Sequence, residues 1–232
     1  MTTAPAQTGR PALGETERFL TATVGRKMVM AVTGVVLFGF VILHMVGNLQ
    51  LYAGAEAINE YGHFLHTFLH GAGIWIVRSV LLVAVLLHIW AMAALTLSNR
   101  QAREVGYRIW TARESTYASR TMRWSGVFVL AFIIFHLLHL TTGTVHPDFI
   151  PGDVYHNLIT GFQVVPVAIF YILATLMLAL HLFHGAWSML QTLGLNHPRY
   201  NRLRNTVSVG LAVLVVVGNL SFPIVVLTGL LR

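Results

Sequence analysis

The chain has 232 residues, 56% of them hydrophobic and only 10% charged, whereas charged residues make up about a quarter of a soluble domain; it reads as an integral membrane protein. It has no cysteine, which excludes disulfides, thiolate-held iron–sulfur clusters and a haem attached covalently through C-x-x-C-H. Fifteen basic residues, eight acidic residues and twelve histidines give a net charge of +7, and the excess of histidine over carboxylate is the anomaly to be explained.

Residues 1–25 are polar, without an apolar run long enough for a signal peptide, and are expected to form a cytoplasmic N-terminal segment ahead of an uncleaved first span. Residues 26–232 are expected to form an all-α domain of five transmembrane helices. The first span is placed at 27–51, inside a charge-free window longer than the ~20 residues needed to cross a bilayer core. His44 lies within it, ~24 Å along the axis from Met28. The connection that follows carries Ile58, Tyr61, Leu65 and Phe68 at helical spacing, with His63, His66 and His70 on nearly the opposite face. This pattern predicts a short helix in the outer interface whose histidine side is wet, or forms a proton-accepting mouth. The second span is placed at 72–98, with Arg78 reaching back to the headgroups, and the third at 123–144. A charge-free window over 154–198 is too long for one crossing. Its helix is placed at 166–191, because Pro166 is tolerated in a first turn. The fifth span is placed at 206–230.

Thirteen of the 15 basic residues fall on one side of this arrangement. They precede the first span (Arg10, Arg18, Arg26, Lys27), follow the second (Arg100, Arg103, Arg108, Arg113, Arg120, Arg123), or lie between the fourth and fifth (Arg199, Arg202, Arg204). Basic residues favour the cytoplasmic side, so the N-terminus is expected inside and the C-terminus outside. The Arg-rich loop near 99–123, with Tyr107, Trp110 and Tyr117, is expected to meet anionic lipid or to dock a cytoplasmic partner; membrane lipids, not nucleic acid, are the expected surface.

Six histidines fall inside the predicted spans: His44, His88, His136, His139, His181 and His184. An imidazole at membrane depth needs a partner within the protein, and four successive spans each carry one. His44, His136 and His181 lie ~3–8 Å past the middle of their spans, as does His88 if the second helix starts near Gly71. Successive spans are antiparallel, so His44 and His136 belong to the outer leaflet and His88 and His181 to the inner. Two bis-imidazole sites follow, one above the other, and each suits a b-type haem held by two neutral imidazoles in an apolar bundle. Zinc would need four ligands at one depth, and the spans hold no carboxylate. Gly47 and Gly185 are the small residues expected to let a porphyrin approach. Spacing does not choose between His136 and His139, or between His181 and His184. Arg78 is expected either as a headgroup anchor or as the partner of an outer haem propionate.

The chain resembles the di-haem cytochrome b membrane anchor of succinate:quinone oxidoreductases, the five-helix b558 type. The resemblance lies in V-G-R-K-x-x-M-A-x-T-G (Val24 to Gly34), H-M-V-G-N-L (His44 to Leu49) and Y-A-G-A-E-A-I-N-E-Y-G-H-F (Tyr52 to Phe64), and continues in I-I-F-H (Ile133 to His136) and H-L-F-H-G-A-W-S (His181 to Ser188). It implies axial ligands at His44 and His136 for an outer haem and at His88 and His181 for an inner one, with His139 and His184 as alternates. It also implies a flavoprotein that oxidises succinate and an iron–sulfur subunit docked on the inner face. Electrons would then pass through two haems b to quinone, menaquinone in this reading, in a bacterial cytoplasmic membrane. The chain alone would hold no complete site for succinate oxidation. A membrane glutamate associated with quinone in some relatives has no counterpart within these spans. Quinone is therefore sought around Glu60, His63 and His66 on the outer side, with Arg26 and Lys27 as the competing neighbourhood. Rival readings are a di-haem subunit of another quinone-linked complex, a haem-free anchor, and a proton-coupled transporter using histidines as a relay.

Overall fold

A computed structural model describes residues 14–102 and 117–232 of the chain. Arg10, Arg103, Tyr107, Arg108, Trp110 and Arg113 lie outside the described residues. Within them all regular structure is helical, and five helical stretches are long and apolar enough to cross a membrane. The chain runs α1 (Glu15–Thr21), α2 (Thr23–Asn48), α3 (Ala55–Thr67), α4 (Ala72–Gln101), α5 (Tyr117–Leu140), α6 (Val154–Gln163), α7 (Val165–Thr192) and α8 (Asn201–Leu227), with short 3₁₀ turns between some of them.

Small residues and prolines decide how these helices begin and turn. A Cβ on Gly25 would stand 1.9 Å from the carbonyl oxygen of Phe19, so only glycine allows α1 to fold back on the start of α2. Between α3 and α4 the chain turns through three left-handed residues in a row, Leu69 (φ 51°), His70 (φ 54°) and Gly71 (φ 85°). The first two hold a conformation that is unfavourable for residues with a Cβ. The long charge-free window splits at Val164, which is extended. Pro166 then lies in the first turn of α7, where its missing N–H leaves no bond unmade. The segment before the break, to which the sequence reading assigned no element, is the separate helix α6. Its N-terminus is capped by the Asp153 carboxylate, which accepts the His156 N–H at 3.0 Å.

α4 packs on α2, α2 on α7 and α7 on α5, while α8 lies against α7 and also meets α2. At the end where α2 begins, the near end, Arg26 ties α2 to α4 by donating to the Ala94 carbonyl (3.4 Å) and to the Ser98 hydroxyl. Arg204 at the start of α8 is buried, bonds Asn201 and lies over the ring of Trp187 on α7 at 4.4 Å. At the opposite, far end, α3 and α6 lie over the helix termini. Leu51, Ile58, Leu158, Ile159, Phe162, Tyr171, Phe222 and Val226 form one apolar cluster there. Asn59 crosses between the two short helices, donating to Asp153 Oδ1 and accepting the Tyr155 N–H, both at 3.0 Å. The apolar face of α3 meets the rest of the chain only in part. Ile58 is 1% exposed, but Leu65 is 40% and Phe68 49% exposed, because α3 ends at Thr67 and the left-handed turn redirects the chain.

A candidate bis-histidine site

The histidines inside the spans come together in twos. His44 of α2 and His136 of α5 have ring centroids 5.8 Å apart, and His88 of α4 and His181 of α7 stand at 6.4 Å. Two imidazoles sharing one metal through bonds of about 2 Å stand with centroids roughly 6 Å apart. Neither pair joins helices that pack closely: α2 and α5, like α4 and α7, are absent from the tightly packed pairs of helices. Side chains alone span both diagonals. Of the apolar window of the α5 span 6% is buried within the chain, against 28% for that of α8.

The two pairs lie at different depths. His88 meets Thr33 of α2, whereas His44 lies eleven residues further along the same helix, roughly 16 Å at the helical rise. His181 meets Ser125 of α5, and His136 again lies eleven residues further on.

In the near pair both hydrogen-bonded ring nitrogens are Nδ1. Thr33 donates its hydroxyl hydrogen to the Val29 carbonyl at 2.7 Å, and its oxygen lies 3.0 Å from His88 Nδ1. With that hydrogen on the carbonyl, the oxygen accepts from His88 Nδ1–H, the tautomer that leaves the Nε2 lone pair free. Ser125 repeats the arrangement: it donates to the Met122 carbonyl at 2.9 Å and lies 3.3 Å from His181 Nδ1. A metal-bound histidine characteristically donates its second ring N–H in this way. The residues after these hydroxyls are glycines whose missing side chains face the same rings. A Cβ on Gly34 would stand 3.8 Å from His88 Cε1, and one on Gly126 would stand 3.4 Å from His181 Cε1. Thr33 and Gly34 close the V-G-R-K-x-x-M-A-x-T-G stretch but were given no role in the sequence, and Ser125 and Gly126 were not singled out. The signal was present as a repeated [ST]-G-x₉-H, Thr33–Gly34 to His44 and Ser125–Gly126 to His136. Gly47, by contrast, does not face a porphyrin-sized gap. A Cβ there would collide with Tyr61 at 2.6 Å, so its space is filled by that ring, and Gly185 faces Met122.

In the far pair, His136 Nδ1 lies 3.3 Å from the Tyr171 hydroxyl. His44 stacks on Phe40 at 5.3 Å, and its Nε2 accepts from the Asn48 amide at 3.3 Å, a long contact that a metal at Nε2 would displace. His139, the neighbour of His136 on α5, is fully buried and stacked between Phe135 (5.5 Å) and His146 (4.8 Å). Its Nε2 abuts Gly161, where a Cβ would stand at 3.0 Å, so no macrocycle can reach that nitrogen. His184 is half-buried on α7. Among the described residues no three His, Asp or Glu side chains converge as a metal cluster; the arrangement is two pairs of imidazoles facing apolar space. Such pairs fit a flat macrocycle with axial nitrogen ligands.

The remaining expected site residues are dispersed. Glu60, His63 and His66 are exposed on α3, with His66 Nδ1 bonded to the carbonyl of Gly62 at 2.9 Å. Arg78 is exposed and lies over the face of Trp75 at 5.1 Å. Arg26 is occupied in joining α2 to α4, and Lys27 is exposed. Beside the far pair, Phe135 of α5 and Pro166, Val167 and Phe170 of α7 line an open apolar groove of about 350 Å³.

Residues 98–219 match the family model of the succinate dehydrogenase/fumarate reductase transmembrane subunit. The match takes in just over half of the chain, from the end of α4 into α8, and includes His136, His139, His181 and His184. No curated protein and no solved structure matches the chain.

Proposed function

The chain belongs to the succinate dehydrogenase/fumarate reductase transmembrane subunit family, and from that premise we propose that it is the cytochrome b subunit of such a complex, joining an iron–sulfur subunit to membrane quinone by way of two b-type haems. Membership makes it a multi-pass membrane subunit that assembles with the other subunits of a succinate:quinone oxidoreductase. The observation that carries the finer reading is the pair of facing imidazoles at each of two depths, at ring separations of 6.4 and 5.8 Å.

A haem b at each pair would supply one-electron transfer at an iron with two neutral nitrogen ligands. The chain's own residues do the rest. His88 and His181 would hold the near group, with Thr33 and Ser125 keeping each Nδ1 protonated and each Nε2 free. His44 and His136 would hold the far group. His136 is favoured over its alternate, because the buried Nε2 of His139 has no approach. For the inner pair, His181 is favoured over His184 because it faces His88. The near end, with Arg26, Lys27 and the basic residues at the start of α8, would face the cytoplasm and the iron–sulfur subunit. The apolar groove beside Phe135 and the exposed Glu60, His63 and His66 support the far end as the quinone side, the groove receiving an apolar ring and tail and α3 supplying proton acceptors. Menaquinone, in a bacterial cytoplasmic membrane, is the quinone of this reading.

The test is co-purification. Expressed with its neighbouring subunits, the chain is expected to bring down a flavoprotein and an iron–sulfur protein and to support succinate–quinone electron transfer. That transfer should fall at least tenfold in His88→Ala, while succinate oxidation by a soluble dye persists. Full quinone reduction in His88→Ala would rule the reading out.

A further inference from the structure

Three hydroxyls meet the paired histidines, and one differs from the others. Thr33 and Ser125 each spend their hydrogen on a carbonyl of their own helix, so each can only accept from its imidazole. Tyr171 has no carbonyl partner among the described residues. Its oxygen lies between two imidazole nitrogens, His136 Nδ1 at 3.3 Å and His139 Nδ1 at 3.0 Å. The ring is held edge-on by Phe132 (5.0 Å) and Phe162 (4.9 Å) and is 7% exposed, so the hydroxyl has little freedom to turn elsewhere.

One hydroxyl has one hydrogen, so it can donate to only one of the two nitrogens and must accept from the other. If His136 gives its Nε2 to a metal, its proton is on Nδ1 and is donated to Tyr171. Tyr171 must then donate to His139, and His139 must carry its own proton on Nε2. That is the atom the structure leaves buried without a partner. His146, stacked on His139, cannot relieve it. Its Nε2 already donates to the Asn157 carbonyl at 2.8 Å, and its Nδ1 accepts the Asp148 N–H at 3.0 Å.

We propose that Tyr171 is a positioning residue for the far axial ligand, and that with a metal on His136 Nε2 a hydrogen-bond chain runs from His136 to Tyr171 to His139 and makes His136 a stronger nitrogen donor. The proposal rests on the di-haem reading above. His139 is the acceptor that keeps the chain pointing away from the ligand. It therefore has a role without being a ligand itself, and a residue that only accepts would serve in its place. A hydrogen bond accepted from a ligating imidazole raises its basicity, which favours the oxidised metal. Losing the acceptor should raise the reduction potential of the far group alone.

The experiment is spectropotentiometry of the purified complex, with the two b-type signals assigned by His88→Ala and His44→Ala. Tyr171→Phe is expected to raise the midpoint of the far signal and leave the near one in place. His139→Leu should shift the far midpoint the same way, and His139→Gln, whose side-chain oxygen still accepts, should restore it. An unchanged far midpoint in Tyr171→Phe, or equal midpoints in His139→Leu and His139→Gln, overturns the proposal. Should Tyr171→Phe lose the far signal outright, the two His139 variants decide. A wild-type complex without b-type haem would instead sink the underlying reading, so the two failures are distinct.

Discussion

A buried imidazole in a membrane span is conspicuous because lipid offers it no partner, and that is why the four paired histidines could be named from the sequence. The hydroxyls that orient them could not. Thr33 and Ser125 are ordinary span residues whose hydroxyls usually bond their own helix, as these two also do. Their second contact exists only because α4 lies beside α2 and α7 beside α5. Removing such an orienting partner typically lowers metal affinity about 10–100-fold. Thr33→Val, which keeps the shape and removes the oxygen, is therefore expected to lower the affinity of the near site by about tenfold or more and to spare the far site. Titrating haem into the apo-protein in detergent measures both. Equal weakening of the two sites would mean that the hydroxyl matters to packing and not to His88. Gly47 shows the opposite error: a small residue one turn from His44 suggested room for a porphyrin, but only the packing of α3 reveals that Tyr61 fills the space.

At the level of elements, the spans announced themselves through uninterrupted apolar length, whereas α6 was hidden inside such a stretch. A helix break at Val164 changes backbone direction without changing composition, so a window free of charge cannot register it. The left-handed turn at Leu69 and His70 was hidden for a similar reason, since Leu seldom adopts that conformation. What holds α6 in place is Asp153. The His156 N–H and the Asn59 amide both donate to its carboxylate and hold its pKa below the ordinary carboxylate value. A carboxyl with a depressed folded pKa stabilises the fold above its unfolded pKa, and that contribution is lost as pH falls through the lower, folded value. The connection over the far end is thus expected to loosen only in acid, below the usual carboxylate range. Asp153→Ala should mimic that loosening at neutral pH, at a cost of about 1 kcal/mol for the lost cap. Amide exchange in 154–163 provides the measurement, with faster exchange in the variant at pH 7 and convergence with wild type in acid. Identical exchange at pH 7 would show that the apolar cluster alone positions α6.

In the whole molecule, the paired histidines occupy two levels roughly 16 Å apart along the helices, each joining helices that do not otherwise pack closely. The recurrence of [ST]-G-x₉-H in α2 and α5, with a partner histidine 55 residues beyond Thr33 and 56 beyond Ser125, makes the α2–α4 and α5–α7 halves read as two versions of one plan. Each half contributes one histidine to each level, and α8 completes the exterior without a histidine. The electron path proposed above requires a cofactor at both levels. The most direct test is the dithionite-reduced minus oxidised spectrum of the purified chain, with haem quantified per polypeptide. The account predicts two non-covalent haems b per chain, with one lost in His88→Ala and the other in His44→Ala. A colourless, fully folded protein, or a single haem that survives both substitutions, would contradict it.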